Sequence, residues 1–97
     1  MGAKNALDYS VSGDGSTNDT SNINTFLTNH TVVVFTANTY ICEMEIPSNA
    51  VVFMEGNPTF KIPSGKSAGG SSAVRITGDN VTIFGDFTCD GNVSGNT

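Results

Sequence analysis

Tryptophan is absent, only four residues carry a positive charge, and one histidine and two cysteines are spread over 97 positions. Each shortage excludes something. Lys4, Lys61, Lys66 and Arg75 are scattered through a chain of net charge −5. A phosphate backbone needs clustered Lys and Arg, so no nucleic-acid partner is expected. The same acidity disfavours an anionic lipid surface. No apolar run approaches the roughly 20 residues of a membrane span, so no membrane insertion is expected. The opening "MGAKNALDY" lacks the apolar core of about 7–15 residues that marks a signal peptide. Gly2 is followed at position six by Ala6, not the Ser or Thr of a myristoylation signal.

Cys42 and Cys89 form no CxxC pair, and His30 has no second histidine or nearby cysteine to join. Zinc and thiol redox chemistry are therefore not expected. A structural disulfide and two buried thiols both remain open for the cysteines. No cofactor is expected.

Helix formers are also scarce. Asn, Thr, Ser and Gly fill their place, and these favour turns and short strands. The spacing predicts one helix, over residues 19–29, "DTSNINTFLTN". Ile23, Phe26 and Leu27 fall on one face of a 3.6-residue period, and Asp19 or Asn18 can cap the first turn. So short a helix is marginal alone and must be held by burying that face. Strands are predicted at 31–35, 39–46, 50–55, 59–62, 73–76, 81–84 and 87–89, each bounded by Asn, Gly, Pro or Asp. Pro47, Pro58 and Pro63 lie between strands, where a missing N–H costs no ladder bond. "TVVVF" is apolar nearly throughout, as expected of a strand covered on both faces.

An internal echo organises the rest. "SNAVVFMEGNPTF" (48–60) and "DNVTIFGDFTC" (79–89) both lead from a polar residue and Asn into an apolar strand, a Gly-containing break and a second strand. Such a repeat suggests a solenoid, with "PSGKSAGGSS" (63–72) as a longer loop inserted in one turn; a β-sandwich with similar turns is the rival. The Gly-Lys-Ser in that loop lacks the upstream glycine of a phosphate loop.

Four motifs in order carry a resemblance over roughly residues 7–92: the Gly13-Asp14-Gly15 turn, Asp19-Thr20 opening the helix, Asn38-Thr39-Tyr40 with Pro47-Ser48-Asn49, and Asn80 to Ile83. The chain resembles the N-terminal region of the pectate-lyase-like right-handed parallel β-helix superfamily, which includes polygalacturonase-type hydrolases and phage tailspike depolymerases. The fold class expected is all-β: the start of a right-handed parallel β-helix with one short N-terminal capping helix. Residues 1–97 would form a single domain, with 1–30 as strand, turn and cap and 31–97 as the first coils. The C-terminal "FTCDGNVSGNT" has no equivalent cover. The resemblance implies a homotrimer in a phage virion, contacting other virion proteins, whose full chain binds or degrades bacterial surface polysaccharide. Two alternatives stand beside it: a fragment of an extracellular bacterial polysaccharide lyase or hydrolase, and a small stand-alone virion decoration or carbohydrate-binding module. The last would expect exposed Tyr9 or Tyr40 to stack on sugar.

Candidate sites are mostly structural. Gly13, Asp14 and Gly15 form a turn, Asp19 and Thr20 a cap, and Ile23, Phe26 and Leu27 the sealing face. Asp14 and Asp19 could share calcium, but their spacing is not that of an EF-hand loop, and a turn explains them better. Glu43 and Glu45 are weak carbohydrate-site candidates: on one strand their Cβ atoms would lie roughly 7 Å apart. Paired carboxylates are what glycoside hydrolysis requires. The superfamily's catalytic acids belong to later coils, so no catalytic residue is assigned and enzymatic activity stays open.

Overall fold

In a computed structural model, residues 3–63, 72–90 and the backbone of 93–95 are described. The interior of the predicted loop 63–72, and residues 91–92 and 96–97 of the C-terminal segment, lie outside them. The elements run β1 (Lys4–Asn5), a 3-10 turn (Ala6–Asp8), β2 (Asp14–Asn18), α1 (Thr20–Asn29), β3 (Val32–Phe35), β4 (Thr39–Ile41), β5 (Met44–Ile46) and β6 (Val51–Met54). They continue with β7 (Thr59–Lys61), β8 (Val74–Ile76), β9 (Thr82–Phe84), β10 (Thr88–Asp90) and β11 (Val93–Gly95). Among the described residues the chain is β-rich with one α-helix, and every strand pair is parallel.

The strands form three sheets, ordered β1-β3-β6-β9, β2-β4-β7-β10 and β5-β8-β11. The chain therefore visits the first, second and third sheet in turn, then repeats. In the first round α1 comes where a strand of the third sheet would stand. Sequence repetition becomes register: Val51 pairs with Thr82 and Thr59 with Thr88, aligning the two halves of the echo. Corner bonds follow the same period. Asp79 N–H donates to Ser48 Oγ at 3.0 Å and Thr88 Oγ1 to Asn57 Oδ1 at 3.2 Å, each across 31 residues.

Parallel register stacks like on like inside. Val33, Val52 and Ile83 form one inward row, and Tyr40, Phe60 and Cys89 another. The Tyr40 and Phe60 rings stack at 5.3 Å, and Phe35 meets both edge-on. Asn suits the corners because its short amide tolerates the left-handed region. Asn49 and Asn80 occupy equivalent corners at φ 67° and 61°. Gly85, at φ 91°, has the carbonyl oxygen of Met54 where a Cβ would be, so the corner after β9 admits no side chain.

Two expectations need correction. The strand predicted over 39–46 is two strands, β4 in the second sheet and β5 in the third, because the chain bends at Cys42 and Glu43. The stretch around the Gly-Asp-Gly turn contains a strand: Asp14–Asn18 pairs with β4, with a register irregularity between its ends. All five of its residues are exposed, so no apolar alternation marked it.

The outer faces differ. On the first sheet, Val32, Val34, Val51, Phe53, Thr82 and Phe84 point outward by alternation; Val34 is buried at 8%, while Val32 is 37% and Phe84 51% exposed. Phe53 and Phe84 stack there at 5.1 Å. The second sheet presents the threonine row Thr39, Thr59 and Thr88 and an exposed Lys61–Asp90 pair at 3.9 Å; the third presents Glu45 and Arg75.

Candidate functional site

The candidate residues gather at the end of the stack where β1, β2 and α1 lie. Asp19 is the centre of this end. Its carboxylate is fully buried and accepts hydrogen bonds from the backbone N–H groups of Ser12 and Gly13, both at 3.0 Å. Its own N–H donates to Ile41 O at 2.7 Å, and its carbonyl accepts from Ile23 N–H. A buried carboxylate with two charge-assisted amide bonds is satisfied rather than poised for chemistry. One residue thus ties the turn before β2, the edge of β4 and the start of α1. Side-chain capping falls to Asn18, whose Oδ1 accepts from Thr20 N–H at 3.0 Å and Thr20 Oγ1 at 2.6 Å.

Gly13 supplies the turn. Its φ is 58°, and an added Cβ would sit 2.9 Å from Leu7 Cδ2 and 3.1 Å from the Tyr40 ring. Asp14 is engaged by its own loop, accepting from Thr17 N–H, Ser16 N–H and Thr17 Oγ1. The Thr17 and then Ser16 amides hold its carboxyl below the usual range. Asp14 and Asp19 therefore spend their oxygens on different backbone segments. Among the described residues, no group of three or more His, Cys, Asp or Glu is placed to hold a metal ion.

Ile23, Phe26 and Leu27 are buried against the core. Each large apolar side chain so buried contributes about 1.5–3 kcal/mol, enough to hold a helix marginal on its own. The helix also meets the backbone of the third sheet. Asn24 Oδ1 accepts from Glu45 N–H at 2.8 Å, Asn24 Nδ2 donates to Glu43 O at 3.2 Å, and Thr20 Oγ1 accepts from Glu43 N–H at 3.1 Å. The first edge of that sheet is thus satisfied by side chains of α1. Glu43 and Glu45 do not share a strand: Glu43 stands half-buried at the bend before β5, and Glu45 is exposed on β5.

Tyr40 is fully buried, and its hydroxyl donates to Thr36 O at 3.1 Å, so it offers no ring to a sugar. Tyr9 is different. Its ring lies 4.5 Å from the His30 ring and 5.3 Å from Phe26, and a cavity of about 280 Å³ opens beside them against α1. A second groove of about 490 Å³ runs over Gly15, Asn18, Ile41 and Lys61. Asn24 and the Tyr9–His30 contact were not singled out from sequence. Asn24 follows Ile23 on a helix known to cover an edge, and that polar neighbour of the apolar face was the available signal.

Cys42 and Cys89 are both thiols. Burial pushes Cys42 up to about 12 and raises Cys89 as well. No helix among the described residues is long and apolar enough to cross a membrane. The chain matches no known protein family, no curated protein and no solved structure.

Proposed function

We propose that this chain is the capped start of a right-handed parallel β-solenoid, and that its work is structural: to begin and seal the stack. The observation that carries this reading is the order in which the chain visits its three sheets, with α1 substituting for the strand missing from the first round. An uncovered sheet edge recruits other strands. At this end β1 and β2 are the outermost strands of the first two sheets, and α1 covers the edge of the third.

On the resemblance, the parent assembly is a phage tailspike or tail fibre whose further coils bind or degrade bacterial surface polysaccharide. The chain would stand as a homotrimer in the virion. The apolar outer face of the first sheet supports lateral packing of copies. Its outward residues Val32, Val51, Phe53, Thr82 and Phe84 are all uncharged, so identical chains of net charge −5 can meet there without opposing like charges.

Light scattering on the purified chain tests the assembly. A mass three times the 10.1 kDa of one chain is expected, falling to one chain in Phe84→Asp. A monomeric wild type at working concentration sinks the trimer. An antibody against residues 3–63 should decorate phage tails; label elsewhere on the particle contradicts the virion placement.

A further inference from the structure

We propose that the cavity between the Tyr9 ring and the outer face of α1 is a binding site for a single neutral sugar ring. The inference stands apart from the solenoid reading and from any polysaccharide site on later coils. Its floor is aromatic: Tyr9 and His30 are both half-buried, so part of each ring remains available, and Phe26 supports them from the core. Its walls are amides and hydroxyls from Ser10, Asn22, Thr25 and Asn29.

The donor and acceptor inventory selects the ligand class. No Asp, Glu, Lys or Arg lines the cavity, so a cation finds no carboxylate there and an anion no Lys or Arg. A purely apolar guest would strip water from the surrounding amides without replacing their hydrogen bonds. A pyranose matches both features, since its C–H face packs on aromatic rings while its equatorial hydroxyls point at amide and hydroxyl groups. The groups are also available. The Thr25 hydroxyl and Asn29 amide are exposed and make no side-chain hydrogen bond to other described residues. Asn22 uses Nδ2 on Ser10 O at 2.9 Å, which fixes the amide and leaves Oδ1 as an acceptor. The volume, about 280 Å³, falls just under the ~300–1,000 Å³ of sites for larger ligands, which fits one ring and not a chain of several.

His30 is the sole histidine, so its imidazole Cε1–H resonance is a unique reporter. The chain is titrated with the methyl glycosides of glucose, galactose, mannose and N-acetylglucosamine. At least one should shift the His30 signal saturably, with a Kd on the order of millimolar, and should receive saturation transfer from the Tyr9 ring. Asn29→Ala and Thr25→Ala lie on an exposed helix face and should fold normally. Each removes one hydrogen bond and should weaken binding by about 2–10-fold. No saturable shift with any of the four at tens of millimolar overturns the proposal. Unchanged affinity in both variants overturns it equally, because the sugar would then be bound elsewhere.

Discussion

Asn24 meets Glu45 as a neighbouring strand would: its Oδ1 accepts the Glu45 N–H at 2.8 Å, while its Nδ2 reaches back to Glu43 O at 3.2 Å. One amide side chain thus offers β5 the acceptor and donor that a further β-strand would supply from its backbone. The helix closes a sheet it cannot join, because its own backbone groups are used internally.

Replacing that amide tests the edge directly. Asn24→Ala should cost about 1–3 kcal/mol, the worth of two hydrogen bonds plus the desolvation of their orphaned partners. Urea denaturation reads this as a lower midpoint at unchanged slope. The variant should also aggregate sooner, since the freed edge of β5 can template pairing. An unchanged midpoint would mean that water replaces Asn24 without loss.

Asp19→Ala should be more damaging. It strips the acceptor from the Ser12 and Gly13 amides at a fully buried position. Charge-assisted bonds are worth about 1.5–3 kcal/mol each, so a loss of roughly 3–5 kcal/mol is expected. Hydrogen exchange at Ser12 and Gly13 should accelerate before the core amides do, which locates the damage at the cap.

Cys42 predicts an alkaline transition. Its ordinary value of 9.0 is raised to about 12 by burial, so the folded state holds the proton longer than the unfolded chain. This contribution is fully present below pH 9.0, and it is lost as pH climbs through that value towards about 12. Stability measured by urea should decline over that window, and less steeply in Cys42→Ala. At pH 8 in the folded protein, Cys42 should resist a thiol-specific disulfide reagent that labels it at once in urea. Rapid labelling of Cys42 without denaturant would contradict its placement in the core.

Much of this organisation was legible where one physical rule acted alone. The helix predicted over 19–29 is Thr20–Asn29, because Ile23, Phe26 and Leu27 can share a face only on a 3.6-residue period. The echo of 48–60 in 79–89 foretold the pairing of β6 with β9 and β7 with β10, since identical corners repeat at left-handed Asn49 and Asn80. Competing signals hid the rest. Tyr40, Cys42, Met44 and Ile46 all point inward around a corner, and alternation continues through the bend as though one strand were present. Strand β2 is polar and exposed throughout, held by backbone pairing that no side-chain pattern records. At the candidate site, the cap residues were readable as turn and helix-start chemistry. The buried carboxylate of Asp19 and the strand-like role of Asn24 depend on contacts distant in sequence.

Three parallel sheets are visited in turn, in register, from a helix-capped end. Nuclear Overhauser contacts in the isotopically labelled chain test this order most directly. Cross-peaks should link Val52 methyls to both Val33 and Ile83, the Tyr40 ring to the Phe60 ring, and Met44 to Val74. Strong Hα–Hα cross-peaks of antiparallel pairing between any of these strands, or Val52 facing Val33 without Ile83, would contradict it.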